Sequence, residues 1–332
     1  MTSLTGFAGA LPDAHRRPPG LPLRALALGA AWLALAAATY ALPEDGDFPT
    51  TAAFAAGALG LGLVLPPLVA RSAHLGRAGA SLAHWTPWLT LLALALTAWE
   101  LITAKFALLP MPFFPPPQAI LEVFVEDWPR LGGGILASLK LLAGGYLIGA
   151  GLGFVLGVAI GWSKAVGYWA HPILRFVGPL PATAWLPMAF FVFPSSWSAS
   201  TFLIALATGF PVTVLTWSGV AGVNKAYFDV ARTLGASPAF LVLRVAVPAA
   251  LPHVFVGLFM GLGGAFAVLV VAEMLGVKSG LGWYLQWAQG WAAYANMYAA
   301  LIVMALMCSG LITLLFRLRD RVLSWQKGLV QW

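Results

Sequence analysis

Residues 135–162 read ILASLKLLAGGYLIGAGLGFVLGVAIGW, a run of 28 residues with one charge, Lys140. A helix rises 1.5 Å per residue and the hydrocarbon layer of a bilayer is about 30 Å thick, so about 20 mostly apolar residues suffice to cross it. The run is continuous rather than alternating, and rich in Leu, Ala and Gly, which disfavours a β-barrel strand. It reads as a spanning helix. Working outward, seven more stretches qualify: 24–42, 51–70, 86–109, 173–194, 199–221, 249–274 and 298–317. The expected fold is an all-α integral membrane protein of about eight transmembrane helices.

The composition agrees. The 332 residues are 61% hydrophobic and only 9% charged, against about 25% charged in a soluble domain. The net charge of +7 is carried by single basic residues scattered between apolar runs, which controls topology rather than binding nucleic acid. With the N-terminus in the cytoplasm, that side holds Arg16, Arg17, Arg24, Arg71, Arg77, Lys164, Arg175, Lys225, Arg232, Arg244, Arg317, Arg319, Arg321 and Lys327, which is 14 of the 18 basic residues. Both termini are then expected to be cytoplasmic. The first span has a basic flank at Arg16 and Arg17 and a small residue at Ala41. It reads as an uncleaved span, with a cleaved signal peptide as the alternative. The lone Cys308 sits in an apolar run and excludes an internal disulfide framework. No P-loop, HExxH or GxSxG pattern occurs, and no metal site is expected.

Two loops have their own character. Residues 110–134 open on a proline cluster and continue into a short amphipathic piece, with Ile120, Leu121, Phe124 and Val125 against Glu122, Glu126 and Asp127. It reads as an interfacial helix on the outer face. Residues 276–297 hold Trp283, Trp287, Trp291, Tyr284 and Tyr294, read as headgroup-level anchors.

Within the spans, Gly145, Gly149, Gly153, Gly157 and Gly161 fall four apart on one stripe. Such a stripe lets another backbone approach closely, in the same chain or in a second copy. Pro179, Pro181 and Pro187 interrupt the fifth span, with Trp185 between two of them. The result is either a broken, cavity-lining segment or a kinked packing helix. Glu100 and Glu273 are carboxylates near span ends. Glu100 reads as paired with Lys105 or interfacial, and Glu273 as a pathway or gating group or a structural hydrogen-bonder. Pro181, Trp185, Pro187 and Glu273 are the pathway candidates.

Residues 229–252, DVARTLGASPAFLVLRVAVPAALP, break the pattern. Ala226–Leu234 can form a short helix with Gly235 as its C-cap. Ser237-Pro238 reads as an N-cap and first turn, and a second short helix is expected over Ala239–Val247 before Pro248. Physics alone leaves an ordinary amphipathic loop open.

This segment resembles the signature of ABC importer permease subunits: Glu-Ala-Ala, three residues, Gly, nine residues, Ile-x-Leu-Pro. Here Asp229-Val230-Ala231, Gly235 and Val245-Ala246-Val247-Pro248 keep its spacing. PFFPPPQAILEVF, GPLPATAWLPMAFF, ARTLGAS, VPAALPHVFVGL and VVAEMLGVKSGLGW resemble the nitrate/sulfonate/taurine/bicarbonate branch of type I importers. The resemblance covers about residues 86–325, so two extra N-terminal helices precede a core of six. It implies a cytoplasmic N-terminal segment at 1–23, the extra pair at 24–85, the first family-like helix with its outer segment at 86–130, the permease domain at 131–318 and a tail at 319–332. A cytoplasmic coupling loop at 222–250 would dock on an ATPase. Asp229, Ala231, Gly235 and Pro248 carry over from the family; Val230 departs from it, and Arg232 and Arg244 are added here on charge.

The resemblance also implies the division of labour. Two copies form a pathway in the bacterial inner membrane for a small, anionic solute. Two ATPase subunits bind ATP and Mg, and a periplasmic or lipid-anchored binding protein delivers the solute. This chain would bind no cofactor and catalyse nothing. The competing reading is an ATP-independent secondary transporter or channel, which calls for paired broken helices in two halves.

Overall fold

A computed structural model describes residues 21–44, 46–72 and 76–326. Arg16, Arg17 and Lys327, three of the basic residues that orient the chain, and nearly all of the segment 1–23 lie outside the described residues. Every regular element among those described is helical. Among the described residues seven helices are long and apolar enough to cross a membrane: Leu23–Ala41, Thr51–Ala70, Ala78–Lys105, Trp128–Trp162, Ser196–Ala221, Pro238–Leu275 and Tyr294–Val322. A bent pair, Lys164–Val177 and Ala182–Val192, turns by 86° at its break and makes an eighth candidate span if the two pieces cross together.

That bend corrects the run expected at 173–194. Its helix starts earlier, at α6 (Lys164–Val177), where Ser163 caps the first turn by accepting from Val166 N at 3.4 Å. Lys164, His171 and Arg175 on one side kept an apolar-run reading from finding this start. Pro179 and Pro181 lack backbone donors, so the chain extends at Pro181 (ψ 139°). It re-coils as a 3-10 turn over Ala182–Trp185 and α7 (Leu186–Val192).

The chain divides into two compact units after Glu126. The first holds α1 (Leu21–Ala41), α2 (Thr51–Ala70), α3 (Gly76–Glu100, continued by a π turn over Leu101–Lys105) and α4 (Pro117–Glu126). The two extra helices and the first family-like span therefore share one unit. Their apolar core is Leu28, Trp32, Leu35, Ala58 and Ala93. A buried polar knot ties them together. Lys105 Nζ donates to Thr39 O at 2.8 Å and Leu42 O at 3.1 Å. It pairs with Glu44 at 3.2 Å and Glu100 at 3.6 Å. Gln118 of α4 donates to Glu100 at 3.3 Å. Each buried charge thus has an opposite partner, the condition under which such groups are tolerated in apolar surroundings. In α4, Gln118, Ile120 and Val123 face inward and Val125 faces out.

The second unit holds α5 (Trp128–Trp162), α6, α7, α8 (Ser196–Ala221), α9 (Lys225–Thr233), α10 (Pro238–Phe240), a π turn over Leu241–Ala246, α11 (Val247–Leu275), α12 (Leu281–Gly290) and α13 (Tyr294–Val322). Its main seam joins α5 to α8 through the glycine stripe, all within one chain. A Cβ added at Gly145 would lie 2.6 Å from Ile204 Cβ, at Gly153 2.6 Å from Gly209 O, and at Gly157 2.6 Å from Thr216 Cβ. At Gly149 it would meet Ala205, and at Gly161 Val220.

The 276–297 segment is also more structured than its aromatics suggest. It forms α12, and Tyr284 is buried at 2% exposure. Its hydroxyl donates to Asp127 Oδ2 at 2.7 Å and accepts from Asn296 Nδ2 at 2.7 Å. Burial, reinforced by the adjacent Asp127 carboxylate and offset in part by the Asn296 bond, pushes the phenol up to about 12. Trp283 and Trp291 do face outward.

Candidate functional site

The 229–252 segment folds as an elbow. Asn224 caps α9 by accepting from Ala226 N at 3.0 Å. At the other end Gly235 takes φ +81°, its N–H donates to Arg232 O at 2.9 Å, and Ala236 N donates to Ala231 O at 3.0 Å. These two bonds form a Schellman motif, which satisfies the last carbonyls of α9 and turns the chain sharply. Ser237 then caps the next helix, accepting from Phe240 N at 3.3 Å, with Pro238 in the first turn.

Beyond this cap the chain departs from the expected second short helix. Ala239–Val247 is not a separate piece: α10, the π turn and α11 run on as one 38-residue helix, Pro238–Leu275. At 1.5 Å per residue it is about 55 Å long, well over the thickness of a hydrocarbon core. Pro248, which has no N–H to donate, lies inside this long helix just past the π turn. The π turn, in which Val247 N donates to Val242 O, absorbs the irregularity. Pro248 therefore marks a continuation and not a break.

The elbow presents two faces. Inward, Phe228 packs against the cluster of Val220, Ala246 and Ala250, as Val158 does, with Trp162 edge-on at 5.8 Å. Outward, Tyr227, Val230 (61% exposed), Leu234 (82% exposed), Phe240 and Leu243 stand free of the bundle. Asp229 and Arg232 pair with each other at 3.3 Å on this surface. Arg244 is exposed on the π turn, while Ala231 and Pro248 are half-buried. Val230, the departure from the family signature, thus lies on the outward apolar face.

The break between α6 and α7 opens a cavity of about 290 Å³. Pro181, Ala182 and Thr183 line one wall, Phe210 and Pro211 of α8 another, and Gly264, Ala267 and Val268 of α11 a third. Of the pathway candidates only Pro181 borders it. Trp185 packs against the apolar core of the unit, and Pro187 occupies the first turn of α7.

Residues 149–326 match the family described as binding-protein-dependent transport system inner membrane component. The chain belongs to that family. A probable ABC transporter permease protein of Brucella abortus is 31% identical over 237 residues, 71% of this chain and 93% of that one. A putative aliphatic sulfonates transport permease protein of Bacillus subtilis is 30% identical, covering 74% and 89%. A nitrate import permease protein of Synechococcus elongatus is 29% identical, covering 75% and 91%. The chain is thus an ABC permease of the nitrate/sulfonate/bicarbonate branch, a multi-pass inner-membrane protein.

In this permease the Glu273 carboxylate is hydrogen-bonded inside the fold. It is 1% exposed. Its Oε2 accepts from Ser138 Oγ at 2.9 Å and from Gly282 N at 2.8 Å, while Ser138 Oγ accepts from Leu281 N at 2.9 Å. The carboxylate and the serine together occupy the first-turn donors of α12, where the helix dipole favours negative charge. Gly280, at φ +102°, packs directly against the carboxylate, which leaves no room for a side chain there. Sequence reading singles out Glu273 for its charge. It misses Ser138, Gly280 and Gly282, whose only sequence signal is the glycine pair around Leu281.

A consequence can be measured. Glu273→Ala leaves the Gly282 N–H and the Ser138 hydroxyl unpaired in a buried place, costing about 2–4 kcal/mol. Faster proteolysis near 278–291 in detergent extracts is expected. Glu273→Gln, which keeps an acceptor oxygen, should be milder. Equal proteolysis of wild type and Glu273→Ala would show that the carboxylate does not hold α12. Among the described residues no group of three His, Cys, Asp or Glu side chains is placed to hold a metal ion.

Proposed function

We propose that this permease forms the translocation pathway of an ATP-driven importer for a small anion. The observation that carries the reading is one helix with two duties. Gly264, Ala267 and Val268 of α11 line the cavity at the broken span, and the same helix runs unbroken to Ser237, directly after the Gly235 elbow. A push on α9 is thereby delivered along one continuous helix to the cavity wall.

The outward face of the elbow supplies the contact. Tyr227, Val230, Leu234 and Phe240 give an apolar patch, and Asp229, Arg232 and Arg244 give it a charged rim. That composition suits a groove on a separate ATPase subunit. Two such subunits bind ATP and Mg and do the hydrolysis, while the permease contributes no catalytic group. Two permease copies enclose the pathway, and a periplasmic or lipid-anchored binding protein loads it from outside. The bias of basic residues puts both termini and the elbow in the cytoplasm, with the ATPase. Sulfonate and nitrate permeases among the relatives support a small anionic solute.

The test uses the protein extracted from its native membrane in mild detergent. Co-purification with an ATPase, and solute uptake that stops when ATP is depleted, are expected. Uptake that persists without ATP, from an extract containing no ATPase, would overturn the proposal in favour of a secondary transporter or channel.

A further inference from the structure

Beside the break in the fifth crossing lies a second cleft, of about 360 Å³. His171, Leu174 and Arg175 of α6 form one side, and Phe210, Val214 and Trp217 of α8 the other. It differs in chemistry from its neighbours. The two cavities next to it are lined by neutral side chains alone. Here Arg175, an exposed side chain, borders an open cleft whose other walls are largely aromatic and aliphatic. Low-polarity walls screen a charge poorly and concentrate its field on whatever enters.

The two polar side chains are set by the fold. Residues 171 and 175 are four apart and so lie on one face of α6. The His171 ring stands 4.4 Å from that of Trp217, and a Cβ at Gly167 would come within 3.3 Å of its Nε2. The imidazole is thus held between α8 and its own helix. Arg130, Arg232 and Arg319 are each paired with an aspartate. Arg175, like Arg71 and Arg244, has no acidic partner among the described residues. A guanidinium offers five donors in a planar fork that matches a planar or tetrahedral oxyanion.

Phe210 joins this cleft to the pathway. Its ring borders the cavity at Pro181, the basic cleft, and the apolar cavity beside them. It is seated on Gly178, where an added Cβ would lie 2.5 Å from Cζ. Gly178 is the residue immediately after α6, at the start of the bend. A change in the angle between α6 and α7 therefore moves the seat of the ring.

We propose that Arg175, with His171, forms an inner subsite for a small oxyanion, and that Phe210 is the partition between this subsite and the cavity at the broken span. The inference rests on the anion reading above and deepens it. It assigns the cationic group that draws the anion past Phe210 toward the cytoplasm, a role no residue of the elbow or of the Glu273 cap can fill.

The single cysteine makes a charge test possible. In a Cys308→Ala background, Arg175→Cys is prepared in the assembled transporter. The purified complex is treated with a cationic or an anionic methanethiosulfonate reagent and reconstituted into proteoliposomes. Uptake is measured with nitrate, taurine and bicarbonate, and the Cys308→Ala parent treated with each reagent is the control. Arg175→Cys is expected to cut anion uptake about tenfold. The trimethylammonium reagent should restore most of the rate, and the sulfonate reagent should lower it further. A mere packing role for Arg175 would respond to the bulk of either reagent alike. Uptake at the parental rate in Arg175→Cys, or equal responses to the two reagents, would overturn the subsite and leave the anion reading standing. A parent that carries none of the three anions would instead overturn the anion reading itself.

Discussion

Replacing Gly153 with leucine is expected to leave little folded permease. Gly153 lies at the middle of the α5–α8 seam, and a Cβ there would sit 2.6 Å from Gly209 O and 3.1 Å from Gly209 Cα. Both are backbone atoms of a long helix, so neither can swing aside as a side-chain tip would. The two helices must separate, and the neighbouring contacts at Gly149 and Gly157 are then lost with it. Overpacking a single site costs about 1–3 kcal/mol, and here several close contacts go together out of a total stability of about 5–15 kcal/mol. The measurement is size-exclusion elution and thermal unfolding in detergent. Aggregated material, or a Tm lowered by about 10 °C or more, is the expected result. Gly151→Leu is the control, because a Cβ there meets nothing within 4 Å. Indistinguishable behaviour of the two variants would mean that the stripe does not carry the seam.

Gly235→Val should act in the opposite way, abolishing transport and sparing the fold. Gly235 has φ +81°, and nothing lies within 4 Å of its hypothetical Cβ. No packing is disturbed, but a β-branched residue at positive φ is strained by about 1–3 kcal/mol. The strain is relieved by opening the Schellman turn, which alters the angle between α9 and the long helix that begins at Pro238. Normal expression and elution are expected, with ATP-driven uptake and solute-stimulated ATPase activity reduced about tenfold or more, since a change of 1.4 kcal/mol in a coupling equilibrium already gives a factor of ten. Gly235→Asn should retain much of the activity, because asparagine tolerates the left-handed region. Wild-type uptake by Gly235→Val would remove the elbow from the coupling route.

These two glycines show how unevenly a sequence discloses its structure. Gly235 is legible because its evidence is local: it comes after an amphipathic turn and precedes Ser-Pro, and the caps at both ends are set within a few residues. The stripe containing Gly153 is legible as a stripe, since its four-residue spacing requires a close approach. Its partner is not, because nothing at 145–161 names α8. The fifth crossing shows another limit. Its prolines announce a break, yet the helix before them is hidden by Lys164, His171 and Arg175. An apolar-run criterion discards such residues, and a helix with one polar face accepts them.

Tyr284 and Pro248 mislead a sequence reading for related reasons. An aromatic in an outer loop is an interfacial anchor on average, but this one is claimed by Asp127 and Asn296, which are 157 residues before it and 12 after it. A proline after a short helix suggests a stop, but a π turn just upstream lets the helix continue.

The sequence by itself determined the all-helical membrane class, the elbow and the family, because apolar length, capping and signature spacing are all written within single segments. Only the tertiary structure decided that α8 covers the glycine stripe, that Glu273 closes on Ser138 from 135 residues away, and that the elbow and the cavity wall share one helix. Those outcomes depend on which surfaces meet when helices pack, and a contact between distant segments leaves no periodic trace in either of them.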